Sequence, residues 1–266
     1  MRLIHPTGPY NNLPAEDVFF AVDDVGAMHG LGYLVYQCQP SLYPDCPVNL
    51  YFSLESQPAS RQMLLGALMA RARMIRDYDP TVRARVYTSV DPGDQETLAF
   101  YAGNGLSLED GEQRVWMSVL PGFPTAPMGC QLAETPLQSV QDQQAFIQRF
   151  HDNDLTYITP NILNQLQYLP HRLTVGLVRA NALMGEAIFG GQGDQVELYG
   201  IYIDYTQRHH GLGQALLRQS MGLLANEGVT RINASLLLRS EPQKKLFGAF
   251  QCQTVGYSAI YPGLYL

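Results

Sequence analysis

The sequence predicts a mixed α/β protein built from two tandem domains, and three observations support this prediction. A stretch rich in proline and glycine, residues 121–129, divides the 266 residues into two parts of ordinary domain size. Strand-like and helix-like patterns alternate in the second part, which is typical of a mixed sheet covered by helices. A single offset of 146 residues also aligns several segments of the first part with segments of the second.

That offset predicts a duplicated unit, with domains 1–122 and 130–266 joined by a linker over residues 121–129. The helical segments of the two parts, 62–76 and 214–227, align only with a small gap. The segments that the offset aligns directly are Tyr101 with Phe247, residues 86–90 with 232–236, and Asp94 with Ser240, each of the last pair just before a helical stretch.

The second part shows the fuller order of elements. Side chains alternate along a strand, so in the strand predicted over 195–204 we expect Glu197, Tyr199, Ile201 and Ile203 to share one face. The other predicted elements are helices over 142–150 and 160–169, a hairpin of 172–180 and 182–189, a helix from 212 with an apolar stripe, a strand over 232–238, a helix from about 241, and closing strands to 266.

Composition excludes several classes of function. The formal net charge of −7 argues against a sequence-independent nucleic-acid binder, which needs a basic surface. No apolar run is long enough for a membrane span, and the N-terminus lacks the apolar core of a signal peptide. The four cysteines form no C-x-x-C pair and do not resemble a disulfide framework. We therefore expect a cytoplasmic protein with no nucleic-acid or membrane partner, and the sequence leaves its oligomeric state open.

One segment indicates chemistry. Gly211 and Gly213 lie where the predicted strand is followed by a helix, and without Cβ atoms they let a ligand approach the backbone closely. The first turn of the helix offers unpaired N–H groups and the positive end of its dipole. Arg208 adds a guanidinium nearby, so the segment suits a phosphate or pyrophosphate. The neighbouring His209 and His210 lack the spacing of a metal site.

Spacing separates this loop from other glycine-rich loops. The Walker pattern is absent, and the dinucleotide pattern would need a glycine at Leu216. The remaining pattern, R-x-x-G-x-G at the start of a helix, resembles the coenzyme A pyrophosphate loop of the GCN5-related N-acetyltransferase (GNAT) superfamily. The strand that ends at Ile203, and the segment around Phe247 in the place of a Y-x-x-x-G-F element, extend the resemblance.

The resemblance implies a tandem GNAT architecture that uses acetyl-CoA. The main-chain groups of Ile201 and Ile203 would pair with the pantetheine arm, and the N–H of Ile203 would polarise the thioester carbonyl. Gln214 and Ala215 would extend the helix N-terminus. The pyrophosphate would lie among the backbone amides around Arg208, His209, His210, Gly211, Leu212 and Gly213.

The resemblance also suggests roles in catalysis. Glu197 occupies the place of the general-base glutamate of GNAT histone acetyltransferases. Alternatively, Glu197 anchors a substrate cation or pairs with an arginine. Tyr199 would shape the acceptor pocket. Phe247 replaces the usual tyrosine acid and is expected to pack against the cofactor arm, which leaves Tyr257, Tyr261 and water as open candidates for the leaving-group acid.

The first part is expected to be a degenerate copy. Tyr101 and Gly105 fall in the expected positions, but the segment that matches the phosphate loop, residues 57–67, lacks the paired glycines. We therefore expect an acetyl-CoA-dependent N-acetyltransferase that works in its second domain. Its acceptor would be a primary amine on a small molecule, amino acid or peptide, with the acidic balance favouring a cation. The alternatives are a non-catalytic acyl-CoA-binding or sensing module, and a structural partner whose sites have decayed.

Overall fold

The computed structural model describes residues 1–122 and 129–266, so residues 123–128 of the predicted linker lie outside the described part. The chain forms two compact units. The first contains Met1–Glu112 and Tyr257–Leu266, and the second contains Gln113–Gly256. The predicted domains, 1–122 and 130–266, divide the chain linearly and stay a prediction, whereas the first unit here includes the end of the chain.

The elements follow the alternation that the sequence predicts. The strands are β1 (Arg2–Ile4), β2 (Val18–Val22), β3 (Met28–Cys38), β4 (Val48–Ser56), β5 (Ala84–Tyr87), β6 (Gly111–Ser118), β7 (Gln131–Glu134), β8 (His171–Arg179), β9 (Ala182–Gln192), β10 (Gln195–Ile203), β11 (Arg231–Leu237), β12 (Gln253–Ile260) and β13 (Gly263–Tyr265). The α-helices are α1 (Pro58–Asp77), α2 (Gln95–Gly103), α3 (Val140–His151), α4 (Pro160–Leu166), α5 (Leu212–Asn226) and α6 (Glu241–Gly248).

The first unit has a mixed sheet of order β1-β2-β3-β4-β5-β13. Strands β4 and β5 are parallel, whereas β13 runs antiparallel to β5 and completes that edge. Helix α1 packs tightly on the sheet: a Cβ on Gly30 would lie 2.7 Å from Leu64 Cδ1, and one on Gly32 would lie 2.9 Å from Leu68 Cδ1. Glycine at both positions therefore lets the helix bury its leucines against the strand.

The second unit has a mixed sheet of order β12-β6-β11-β10-β9-β8-β7, in which β10 and β11 are parallel. One face packs on α5, whose Leu212, Leu216 and Met221 are buried in the main core of this unit. On the opposite face, Phe150 of α3 lies against Gly200 and Tyr202 of β10. The candidate site described below lies at β10, whose side chains contribute to both faces of the sheet.

A buried carboxylate fixes α3 to the sheet. Glu186 of β9 is fully buried, and the guanidinium of Arg149 donates to both of its oxygens, at 2.7 and 2.8 Å. The Tyr202 hydroxyl donates at 2.5 Å and the Thr135 hydroxyl at 3.0 Å. All of these groups donate hydrogen bonds to the desolvated carboxylate of Glu186. The buried charge is therefore compensated inside the protein.

The same order of elements occurs in both units, and it confirms the predicted mixed α/β fold of two tandem units. In the first, β2-β3-β4 is followed by α1, β5 and α2; in the second, β8-β9-β10 is followed by α5, β11 and α6. The predicted alignment of Asp94 with Ser240 is also confirmed, since these residues cap α2 and α6 by accepting from the N–H groups of Thr97 and Gln243. In residues 1–122 and 129–266, no helix has the length and apolar character of a membrane crossing.

Candidate active site

Strand β10 contains an irregularity at the position where it leaves its parallel neighbour. The pairing of β10 with β9 shifts register between Leu198 and Gly200, which is the mark of a β-bulge at Tyr199. The pairing with β11 runs from Gln195 to Leu198, opposite Ala234, and stops there. Beyond the bulge the two parallel strands therefore separate and leave an opening beside the second half of β10.

The bulge makes the predicted shared face of Glu197, Tyr199, Ile201 and Ile203 wrong. Tyr199 lies on the α4 face, since a Cβ on Gly190 would be 3.3 Å from its ring and would clash with Leu166. Glu197 is paired with Gly190 and so faces the same way. Ile201 and Ile203 pack instead on the core beneath α5. One extra residue at the bulge interrupts the alternation, so side chains on either side of it point to opposite faces.

The backbone of Ile201 and Ile203 turns toward the opening. The N–H of Asp204 donates to the carbonyl of Met184 in β9, at 2.9 Å. Since alternate residues of an antiparallel strand direct their N–H and C=O groups to opposite sides, the groups of Ile201 and Ile203 point away from β9. Such an orientation is what pairing with an extended arm would require; that pairing, which the resemblance implies, stays a prediction.

The start of α5 closes one end of the opening. Gly211 is its N-cap with φ of 73°, and within the described residues no side chain caps the helix. The first N–H groups of a helix have no partner inside the helix, so those of Leu212, Gly213 and Gln214 are available to a ligand. A Cβ on Gly213 would lie 3.6 Å from Ile203 Cγ1 and 3.6 Å from Leu246 Cδ1. The helix start thus lies directly beside the end of β10, with Ala215 one residue further along the helix.

The loop between β10 and α5 reaches this position through two residues with positive φ. Gly211 and His209 both adopt the left-handed region, at 73° and 69°. For Gly211 this conformation carries no steric cost, whereas a side chain there would be strained. Gly211, His209 and His210 are exposed, so the backbone of the predicted cradle is accessible.

The side chain of Arg208 does not point along the loop. Its Nε donates to the carbonyl of Ile203 at 3.0 Å, and its Nη2 donates to Oδ1 of Asn153, after α3, at 3.0 Å. Burial lowers the pKa of this guanidinium, while Asp154 and Asp204 act in the opposite direction. Arg208 therefore ties the segment after α3 to the end of β10, a contact that the sequence pattern did not indicate.

Glu197 is already engaged by a cation. Its Oε2 accepts from Nη2 of Arg114, on β6, at 3.3 Å. The carboxylate side chain is 28% exposed and that of Arg114 is 58% exposed. Pairing with an arginine was one of the alternatives left open for this residue, and sequence analysis missed Arg114 as its partner.

Phe247 lies in the hydrophobic core rather than at the surface of the opening. Its side chain is 4% exposed, among the residues that pack α5 and β11 together. Tyr257 and Tyr261, two candidates for the leaving-group acid, belong to the first unit. There the Tyr261 hydroxyl donates to Glu112 at 2.9 Å, and burial together with the Glu112 charge raises its pKa above the ordinary range. A tyrosine held in this way is a poor proton donor.

The corresponding region of the first unit is closed. A single residue, Gln57, separates β4 from α1, and Pro58 is the first residue of that helix. The register of β4 with β3 continues without a bulge from Val48 to Ser56. The hydroxyl of Ser60 donates to the carbonyl of His29, and its N–H to that of Gln57. There is thus no loop here comparable to the one before α5.

Comparison with known proteins identifies the fold. No protein-family model matches the sequence, and no curated protein matches it significantly. A GCN5-related N-acetyltransferase from Sphaerobacter thermophilus aligns over 96% of this chain and 82% of its own, with a TM-score of 0.50 and 13% identity. Another, from Anabaena variabilis, aligns over 93% of this chain and 62% of its own, with a TM-score of 0.53 and 10% identity.

A third similar structure, a probable N-acyltransferase from Enterococcus faecalis, aligns over 92% of this chain and 61% of its own, with a TM-score of 0.53 and 10% identity. The chain therefore spans about three fifths of the length of the last two proteins. The similarities show the fold: this chain has the fold of the GCN5-related N-acetyltransferases, and the likeness extends over nearly its whole length.

Proposed function

We propose that this protein is an acetyl-CoA-dependent N-acetyltransferase, which moves an acetyl group from a thioester to a primary amine by direct attack. The observation that carries the proposal is the meeting of three features at one place in the second unit. These are the opening between β10 and β11, the uncapped start of α5, and the contact distance between Gly213 and Ile203.

The residues present suit coenzyme A. A pyrophosphate binds well at a helix N-terminus, where N–H groups and the helix dipole favour an anion. The backbone from Arg208 to Gly213 supplies such a terminus, and the space that a side chain at Gly213 would fill remains open between Ile203 and Leu246. An extended arm could then follow β10 as an added strand does, pairing with the main-chain groups of Ile201 and accepting from the N–H of Ile203, whose carbonyl already accepts from Arg208.

Acetyl-CoA, when bound, supplies an activated acetyl group, which the acceptor amine takes with release of the thiol. Ile203 lies beside the pyrophosphate end of the site, so its N–H serves the arm. The N–H nearer the bulge, that of Ile201, is the one that reaches the carbonyl oxygen at the far end of the arm. We therefore assign to Ile201 the polarising role that the sequence suggested for Ile203, a donor worth about 2.7–4 kcal/mol in other enzymes.

The position of Glu197 agrees with this assignment. Six extended residues separate Glu197 from Ile203, or about 20 Å, which is too far for both to act on one reacting carbon. Ile201 is four residues from Glu197, which corresponds to about 13 Å of extended strand, and the bulge shortens this distance. From there the carboxylate accepts the ammonium proton of the acceptor through a water. The bulge also turns Glu197 and Tyr199 to the face opposite α5, which we propose as the acceptor side.

The buried Phe247 supplies no proton, and the proposal needs none from it. A thiol with a pKa of about 8.5 departs as a thiolate near neutral pH. Phe247 instead packs α6 onto α5, and in doing so it positions Leu246 beside Gly213.

Thiol release from acetyl-CoA in the presence of a panel of primary amines tests the proposal. We expect wild-type turnover with at least one amine, and a fall of about 10²-fold in kcat for Glu197→Gln, since general-base catalysis contributes 10²–10⁴. Glu134→Gln, at an exposed position of β7, is the matched control and should keep wild-type turnover. Binding of coenzyme A without thiol release from any amine would favour the second candidate, an acyl-CoA-binding or sensing module, to which the absence of a tyrosine at position 247 points.

A further inference from the structure

A row of polar and aromatic side chains crosses the sheet of the second unit on the face opposite α5. It consists of Arg114 and Trp116 of β6, Arg231 and Asn233 of β11, and Glu197 of β10, and is called the polar strip below. The three strands are neighbours in the sheet, and Asn233 lies directly beside Glu197 in the register. The residues that alternate with the strip, Val115, Met117, Ile232 and Ala234, are buried in the core beneath α5.

The polar strip carries more positive than negative charge, in contrast to the chain as a whole with its net charge of −7. Arg114 has five N–H donors, and within the described residues its one ion pair is with Glu197, at 3.3 Å. The Arg231 guanidinium lies 4.5 Å from the centre of the Trp116 ring, and its Nε is buried without a hydrogen-bond partner in the described part of the chain. The polar strip thus contains two guanidiniums and one carboxylate.

This arrangement distinguishes between classes of acceptor. A plain cation at Glu197 would compete with Arg114 and leave the guanidinium without its carboxylate. A plain anion at Arg114 would likewise compete with Glu197 for the guanidinium. A molecule with both an ammonium and a carboxylate can form an ion pair with each group while Arg114 and Glu197 stay paired, and arginine binds carboxylates well because its planar donors match the two oxygens.

Building on the proposed function, we propose that the acceptor is an α-amino acid or a similarly compact zwitterion. Its amine would lie at Glu197 and its carboxylate at Arg114. The spacing supports this class, because one carbon separates the two charged groups of an α-amino acid and 3.3 Å separates the two partner groups of the protein. A zwitterion differs from the cationic acceptor that the overall charge suggested. Charges next to Glu197 affect the bound acceptor more strongly than distant surface charges, because salt screens the distant ones.

Binding of matched ligands, measured calorimetrically with coenzyme A present, tests this inference separately from catalysis. The ligands are alanine, leucine, phenylalanine and lysine, each compared with its carboxamide, which keeps the size and the amine but lacks the negative charge. For at least one pair we expect the acid to bind about ten-fold or more tightly than the amide. A hydrogen bond to a charged group contributes enough free energy for a difference of this size. In Arg114→Gln the ratio should fall to near one. Arg218→Gln, on the exposed side of α5, is the matched control and should keep the wild-type ratio.

The outcomes separate the inference from the proposed function. Equal affinity for acid and amide in every pair, or an unchanged ratio in Arg114→Gln, would overturn the inference even if thiol release is observed. Absence of thiol release with every ligand, together with a ratio that depends on Arg114, would overturn the proposed function and leave the zwitterion site standing. In an active protein, the same discrimination between acid and amide should appear in KM for the acceptor.

Discussion

Gly213 and Ile203 lie so close that a single added carbon would bring them into contact: a Cβ on Gly213 would be 3.6 Å from Ile203 Cγ1. This distance is an ordinary van der Waals contact, so the protein itself tolerates a small side chain there. The space that the side chain would occupy, however, is the approach to the free amides at the start of α5. Packing alone does not require glycine at this position, whereas the proposed binding of coenzyme A does.

The first prediction concerns this glycine. Gly213→Val should raise the Kd for coenzyme A about ten-fold or more, because its methyl groups separate the phosphate from amides that bind a charged partner. Gly66→Val is the matched control: Gly66 is also helical, and no atom lies within 4 Å of its added Cβ. Calorimetric titration of both variants measures the effect, and equal affinities would contradict the proposed cradle.

The second prediction concerns Arg208, whose side chain contacts protein groups rather than the loop. Arg208→Gln should lower the free energy of unfolding by about 1–3 kcal/mol, since it leaves the carbonyl of Ile203 and the amide of Asn153 without their donor. Its Kd for coenzyme A should stay within a few-fold of wild type. Denaturant unfolding and titration of the same sample measure both quantities, and a large loss of affinity without a loss of stability would refute this assignment.

The third prediction concerns the buried Glu186. Arg149→Met should destabilise the protein by about 3 kcal/mol, the lower end for a broken buried pair, because the arginine side chain keeps a third of its surface in water. The double variant Arg149→Met with Glu186→Met should be more stable than Arg149→Met alone, since no uncompensated carboxylate then remains. Urea unfolding of the three proteins provides the measurement. A double variant less stable than the single one would show that the charge is not the cause.

The fourth prediction is a pH dependence in the first unit. Hydrogen bonds from Nδ1 of His29 to Gln57, at 2.8 Å, and from Nε2 to Asp23, at 3.1 Å, raise the pKa of His29. The folded protein thus holds this proton more tightly than the unfolded chain. Its contribution to stability is complete below pH about 6.5 and is lost as the pH rises through the higher folded-state pKa.

The difference in Tm between wild type and His29→Gln should therefore shrink as the pH rises from about 6 to about 8.5. Scanning calorimetry at a series of pH values measures it, with His210→Gln at an exposed loop position as the control. A difference that grows with pH would have the wrong sign for a raised pKa and would refute this explanation.

The features that the sequence could predict are those that depend on neighbours in the chain. The strand, the glycine loop and the helix start around Gly211 occupy one continuous segment, so residue types and spacing were sufficient. Ser240 and Asp94 were likewise recognisable because a cap acts on residues three positions further along. For the same reason the order of elements in the second part of the chain could be predicted.

The features that the sequence could not predict depend on distant partners. The bulge at Tyr199 is defined by the register against β9, and without it the alternation rule places Glu197 on the wrong face. Arg114 is 83 residues from Glu197 in sequence, and its contact requires β6 to lie two strands from β10. Neither fact leaves a local pattern. The membership of Tyr257–Leu266 in the first unit is of the same kind.

The first unit is assembled from segments that are far apart in the sequence. Strand β13 pairs with β5, and the buried Arg85, which forms an ion pair with Asp110, also donates to the carbonyl of Tyr261. Residues 257–266 are synthesised after residues 1–256, so the sheet of the first unit cannot be completed until the second unit has been made. Whereas N-terminal domains generally fold first during synthesis, the first unit here cannot complete its fold without Tyr257–Leu266.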